Sequence, residues 1–537
     1  MSTLMDAKKA AAVKAPRDPR LDFFRGIAMF IILLAHTPGN TWTLWIPARF
    51  GFSDATEIFV FCSGMASALA FGAVFSNKSW WLGSARIAFR VWQVYWAHIG
   101  VFLVSALLMI AIDHYGLGPE GKEYAKWPSI IRLFTDTQDA LLGLFTLTYI
   151  PGLFDILPMY LVILAMVPAV MGLHALGGRW AVFAAMGVTW AAAQLAGYAR
   201  GADDIVDPTM LQAALIALGE PLQWMNFRGS PFNDSHTWFF NPFGWQLIFF
   251  TGFSFGMGWI PAPPVKLWLI ALCAAILFLI LPVAWVKLYA WMTGYLPETW
   301  GGAFLWDARE ALRPIWWKSW QGLGRYVHFL ALAYVAWVAV GPRGVRLSEG
   351  FEPAAPAGIW ALRAAAAVAL VTIPYAYIDE IKWLSPAIDN AILSVYPALY
   401  NQLGLAQIAH LIALIVLVWA AIGEEGRRWI ARDMVVRSVP VIQKVGTQSL
   451  AVFLVSIVLS RFNGFLLDVI GRDVWTRAGV NLWGFAVLIA TAYIVSWFKR
   501  QPWRTRPATA GAARETARDG EGAADPRGRP PIAAMRP

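Results

Sequence analysis

Arg25 and His36 lie eleven residues apart in RLDFFRGIAMFIILLAH, and Asp54 and Glu57 lie three apart in GFSDATEIFVFCSG. Eleven residues make close to three turns of α-helix, so Arg25 and His36 share one face, about 16 Å apart along its axis. Both stretches are otherwise apolar. An ionisable side chain inside a bilayer is costly and persists there mainly for function. The spacing puts a cation near one membrane surface and an imidazole well inside, as in a site that reaches across the bilayer.

His36 is a candidate general base. The connection from Thr37 to Ser53 is short, which predicts antiparallel neighbouring helices and brings Asp54 and Glu57 toward His36. A carboxylate beside an imidazole fixes its tautomer and raises its basicity. The competing readings are a packing role for His36 and an N-cap role for Asp54, with Ser53 as the alternative cap. Arg86 and Arg90 are four apart, on one face of a third apolar stretch, and open with Arg25 onto the same side. Three guanidiniums there suit a phosphate clamp, because Arg binds phosphate bidentately. The alternative is a topology signal, with Asp22 pairing with Arg25 and Arg25 snorkelling to the surface.

Further polar residues cluster near helix ends. Asp155 with Tyr160 in FDILPMY, Asn241 with Trp245 and Gln246 in FNPFGWQ, and His328 in GRYVHFLALAY fall on the opposite side from the arginines. Each either contacts a substrate or hydrogen-bonds between helices. Gln448 and Ser449 in VGTQSLAVF are interhelical candidates at the inner end. One outer loop holds Trp224, Asn226, Asn233, Asp234, His236 and Trp238; another holds Trp291, Trp300, Trp306, Trp316, Trp317 and Trp320. Indoles with amides and acids suit a sugar-binding cleft, and they equally suit an interfacial aromatic belt. His98, His114, His174, His236 and His410 show no metal-ligand spacing, and Cys62 and Cys273 offer neither a disulfide framework nor a metal pair.

The elements that must position these groups are membrane helices. Of 537 residues, 58% are hydrophobic and 14% charged, with a mean hydropathy of +0.54; soluble domains carry about 25% charge. The net charge of +10 comes from Lys and Arg at the ends of apolar runs, which the positive-inside rule explains without nucleic acid. Apolar stretches fall near 21–40, 54–75, 88–112, 152–174, 180–198, 244–260, 267–291, 326–341, 358–377, 404–422, 446–468 and 478–498. This predicts an all-α polytopic protein with about twelve spans of about 20 residues. Lys8, Lys9, Lys14, Arg17, Arg20, Lys78, Arg343, Arg346, Arg427, Arg428, Arg432, Arg437, Lys499, Arg500, Arg504 and Arg506 then share one side with both termini, the cytoplasm. The first run is read as an uncleaved span. The domain division is a basic cytoplasmic segment at 1–20, a membrane domain at 21–500 and a disordered cytoplasmic tail at 501–537.

RLDFFRG…AHTPGN, FGFSDATEIFVFCSG, RVWQVYWAH, DILPMY, FNPFGWQLIF, GRYVHFLALAY and GTQSLAVF together resemble the OpgC family, from about residue 17 to 500. Those proteins are inner-membrane succinyltransferases that modify osmoregulated periplasmic glucans, related to the wider acyltransferase family three. Arg25 and His36 match the first-span Arg and His of that wider family, and Arg86 and Arg90 match its basic third-span motif. The resemblance implies acyl transfer from cytoplasmic acyl-coenzyme A, most simply succinyl-coenzyme A, to a hydroxyl of a periplasmic β-glucan. His36 would act as base with Glu57 or Asp54 holding its ring, and Arg25, Arg86 and Arg90 would hold the donor phosphates. Asp155, Tyr160, Asn241, Trp245, Gln246 and His328 are the acceptor-side candidates. Direct transfer needs no metal and no permanently bound cofactor. A succinyl group would add a carboxylate, for which Arg228, Arg325, Arg461 and Lys382 are candidate cations.

Two other classes compete. A secondary transporter predicts inverted repeats and matched broken helices, which the sequence does not display. A lipid-linked glycosyltransferase predicts dependence on a divalent cation and a polyprenyl donor.

Overall fold

The computed structural model describes residues 18–127, 130–202, 207–285, 307, 309–376 and 403–503. Lys8, Lys9, Lys14, Arg17, Trp291, Trp300, Trp306, Lys382, Arg504, Arg506 and the tail from residue 504 lie outside the described residues. The chain divides into a main body up to Ala492 and a C-terminal unit from Tyr493. In the latter, Trp503 closes on Trp497 and Phe498.

Helix α1, Pro19–His36, begins where Asp18 caps the backbone N–H of Arg20 and Pro19 occupies the first turn. It stops at the Pro38–Gly39 pair, where Gly39 adopts φ +73°. Two short 3₁₀ turns, Thr41–Trp45 and Pro47–Arg49, bring the chain back to α2, Ala55–Asn77. The predicted pairing of these first two helices holds. A π-helical turn at Ala68–Gly72 interrupts α2.

Numbering the long helices in chain order, α3 is Trp80–His114, α4 Ile156–Arg200, α5 Pro242–Gly256, α6 Leu267–Ala284 and α7 Leu323–Ala339. Then follow α8 Ile359–Ala376, α9 Leu403–Ala421, α10 Val435–Thr447, α11 Ser449–Ile470 and α12 Val474–Arg500. Regular structure among the described residues is otherwise helical, with one isolated β-bridge between Arg228 and Thr237.

Every predicted apolar stretch overlaps a described helix, though among the described residues not all twelve are long and apolar enough to cross a membrane. Six described helices, α2, α3, α4, α6, α11 and α12, are long and apolar enough to cross a membrane. A seventh arises if α7 and Pro342–Glu349, bent by 56°, form one span. The stretches 152–174 and 180–198 share one helical run, broken at Gly178 (φ 64°, ψ −165°). Helix α1 carries Arg20, Asp22 and Arg25 within its eighteen residues. Helix α5, at fifteen residues, is short of a full crossing.

Helix α5 forms the centre of the core. Trp245, Ile248, Phe249 and Phe253 are fully buried in it, as expected of a helix that is apolar all round. Helix α3 does the opposite. Trp81, Leu82, Phe89, Trp92, Leu103, Val104 and Leu107 are exposed along it, the apolar surface of a membrane protein.

Candidate active site

Helices α1 and α11 run parallel and are tied at two levels. At the N-terminal level Arg25 donates to Ser449 Oγ at the start of α11. At the other level Arg461 Nη2 donates to the His36 carbonyl at 2.5 Å. Arg25 and His36 therefore stand at different levels of the packed α1–α11 pair, three turns apart as their spacing predicts. Cys62 on α2 lies within electrostatic reach of Arg25, and Ser449 is interhelical as expected. Arg86 and Arg90 sit one turn apart on α3. The Arg86 guanidinium is exposed and stands 5.6 Å from the Phe71 ring, and Arg90 Nη1 donates to Gln93 Oε1 at 3.1 Å.

The first turn of α2 holds a dense charge cluster. Asp54 and Glu57 form a capping box: Asp54 Oδ1 accepts from Thr56 N–H at 2.7 Å, and Glu57 Oε2 accepts from Asp54 N–H at 2.8 Å. The other Glu57 oxygen accepts from Arg325 Nε at 2.8 Å and Nη2 at 2.5 Å. Lys318 Nζ donates to Asp54 Oδ2 at 2.5 Å, and Arg325 Nη2 lies 3.7 Å from the same oxygen. Burial opposes ionisation of Asp54, but Lys318 and Arg325 more than reverse this and hold its carboxyl well below the usual carboxylate range.

The His36 ring is placed otherwise than predicted. Its Nδ1 is buried and has no hydrogen-bond partner among the described residues. Glu57, expected to hold the ring, is instead fully engaged by Arg325 and the Asp54 backbone. Asp54 acts on the imidazole through space, together with Arg461 and Lys318.

Lys318 is the residue the sequence reading missed. It acts electrostatically on His36, Asp54, Glu57 and Asp155, and its ammonium stands 5.5 Å from the Phe240 ring. A single lysine among tryptophans in WWKSW has no spacing to mark it. Its segment is held by every backbone carbonyl from 318 to 321. Trp245 Nε1 donates to Lys318 O at 2.9 Å, and Asn241 N–H to Ser319 O at 2.9 Å. Gln194 Nε2 donates to Trp320 O at 2.5 Å, and Trp190 Nε1 to Gln321 O at 2.9 Å.

Several acceptor-side candidates are engaged by protein. Asn241 caps α5 through Phe243 and Gly244 N–H and donates to Met225 O at 2.9 Å. Trp245 braces Lys318 as described, and Gln246 Nε2 donates to Met186 O at 2.9 Å. Tyr160 packs edge-on against Phe249. His328 holds the entrance to α2: Ser53 Oγ lies 2.7 Å from its Nδ1, and Ser53 N–H donates to that nitrogen at 3.3 Å. Asp155, buried at the start of α4, faces the field of Lys318. Lys318, held by Asp54, thus has both His36 and Asp155 within electrostatic reach, Arg461 meets the His36 carbonyl, and Arg325 links Glu57 to Asp54.

Among the described residues, no three His, Cys, Asp or Glu side chains are grouped so as to hold a metal ion. Comparison with curated proteins and with solved structures returned no match. A family model described as OpgC protein matches residues 17–358 and, in a second overlapping match, 344–500. Between them these matches take in every helix of the site, and the chain belongs to the OpgC family.

Proposed function

We propose that this protein transfers an acyl group, succinyl foremost, from a cytoplasmic acyl-coenzyme A to a glucose hydroxyl of a periplasmic β-glucan. In this reading it is a multi-pass protein of the bacterial inner membrane with both termini in the cytoplasm. Family membership supports the reaction class. The observation that carries the reading is the buried His36 Nδ1, unpartnered among the described residues and within electrostatic reach of Arg461, Lys318 and Asp54.

The donor's phosphates lie by Arg25, Arg86 and Arg90, and its arm extends along α1 toward His36. The acceptor hydroxyl comes from the other side, past Asp155. Its oxygen attacks the thioester carbonyl carbon while its proton passes to His36. The negative charge that develops on the carbonyl oxygen is stabilised by the nearby cation Lys318. Collapse breaks the carbon–sulfur bond, and the imidazolium returns its proton to the leaving thiolate. Ester and free thiol result. Asp54 positions Lys318, and the Glu57–Arg325 pair positions Asp54.

His36→Ala, compared at equal membrane abundance, should lower glucan acylation measured by mass spectrometry about a hundred- to ten-thousand-fold. Retained acylation removes His36 as the base. Glucans with the same acyl load whether or not the wild-type protein is present would favour a transporter instead.

A further inference from the structure

The cations around the site differ in what they are bonded to. Arg325 lies on Glu57, Lys318 on Asp54, and Arg228 on Asp234 at 2.6 Å, out on the surface. Arg461 has no carboxylate partner among the described residues. Its recorded hydrogen bond goes to a neutral acceptor, the His36 carbonyl. Its Nε is buried and unpartnered among the described residues, and its guanidinium carbon sits 4.4 Å from the centre of the Trp127 ring. Asp468, two turns further along α11, is already taken by Lys122, Tyr124 and Arg472.

A guanidinium just past the middle of a membrane helix, with no counter-charge among the described residues and with its Nε buried, is costly to maintain. The indole face and the carbonyl hold it still without neutralising it. Such a group suits a planar anion arriving with the substrate, since Arg binds carboxylate through two parallel hydrogen bonds. A donor phosphate is the wrong anion for this position. Arg461 stands at the level of His36, and Arg25 stands about three helical turns, or about 16 Å, below it. An anion at Arg461 belongs within a few bonds of the reacting carbon.

We propose that Arg461 binds the free carboxylate of a dicarboxylic acyl donor and so selects a short, acid-terminated acyl group over a neutral one. This rests on the acyltransferase reading and deepens it. The rate measured with the wild-type protein tests that reading, and the donor ratio tests the proposal.

The experiment uses membranes containing the full chain, purified glucan, and three donors: succinyl-coenzyme A, its methyl-ester analogue and butyryl-coenzyme A. With wild-type protein, kcat/KM should favour succinyl over both neutral donors. Arg461→Gln should lower the succinyl-to-butyryl ratio about 10- to 100-fold, the range for losing one charge-assisted hydrogen bond. Arg461→Lys, which keeps the charge but not the fork, should give an intermediate ratio, and Arg228→Gln should leave the ratio as in wild type. If Arg461→Gln fails to accumulate, the wild-type comparison of succinyl with its methyl ester decides, and equal kcat/KM values overturn the proposal. A ratio unchanged in Arg461→Gln overturns it too, with the acyltransferase reading intact. Wild-type membranes that transfer none of the three groups overturn both.

Discussion

Both oxygens of Glu57 are held by protein, one by Arg325 and one by the Asp54 backbone, in a side chain with no solvent exposure. Removing one partner of such a pair leaves a buried charge behind. Glu57→Gln should therefore lower stability by about 3–5 kcal/mol, read as a lower melting temperature in detergent. Replacing both partners by Met should recover most of that loss. Unchanged melting of the single variant would show that the pair does not support the fold. At this scale the sequence disclosed Arg25, His36, Asp54 and Glu57 as a group, because helical spacing and a short connection are local properties. It could not disclose which side chains meet Glu57 and Asp54. Arg325 is 268 residues from Glu57 and Lys318 is 264 from Asp54, and only tertiary packing brings them together.

Helices α2 and α5 approach closely enough that backbone touches backbone. A Cβ on Gly64 would lie 1.9 Å from the Phe249 carbonyl oxygen, and one on Gly252 would lie 2.1 Å from that of Phe61. Small residues permit this approach where the hydrophobic effect does not drive helices together. Helices α1 and α10 cross in the same way, at Gly26 against Ile442 and Gly446 against Asp22. Gly252→Ala should cost about 1–3 kcal/mol through overpacking, measured by the same melting assay. Gly100→Ala, with nothing within 4 Å on α3, should not destabilise. Equal melting of the two variants would refute the close crossing. Element positions were legible in the apolar runs, but element continuity was not. Hydropathy alone does not separate two helices broken at Gly178 from two spans joined by a loop, nor does it reveal that α5 is enclosed by other helices.

Across the whole protein, the proposed chemistry has a direction. In the proposed reaction Arg25 serves the donor at one end of the α1–α11 pair, and the acceptor meets His36 at the other. Sealed inside-out vesicles should consume acyl-coenzyme A added to the bath and modify only glucan trapped within, and right-side-out vesicles should do the reverse. Modification of bath glucan by bath donor in intact vesicles would defeat this arrangement. Charge bias in the loops supplied this expectation; the aromatic loops disclosed less, since Trp238 and Trp320 spend their indole N–H groups on Leu147 O and Asn226 Oδ1 within the protein.

The two ties between α1 and α11, Arg25 to Ser449 and Arg461 to His36, fix the helices in register, so that neither can slide without breaking both. In the proposed reaction this makes the protein a calliper of constant opening. A thioester carried on a truncated arm could grip the arginines or present its carbonyl to the imidazole, but not both at once, and length itself becomes a means of telling one donor from another.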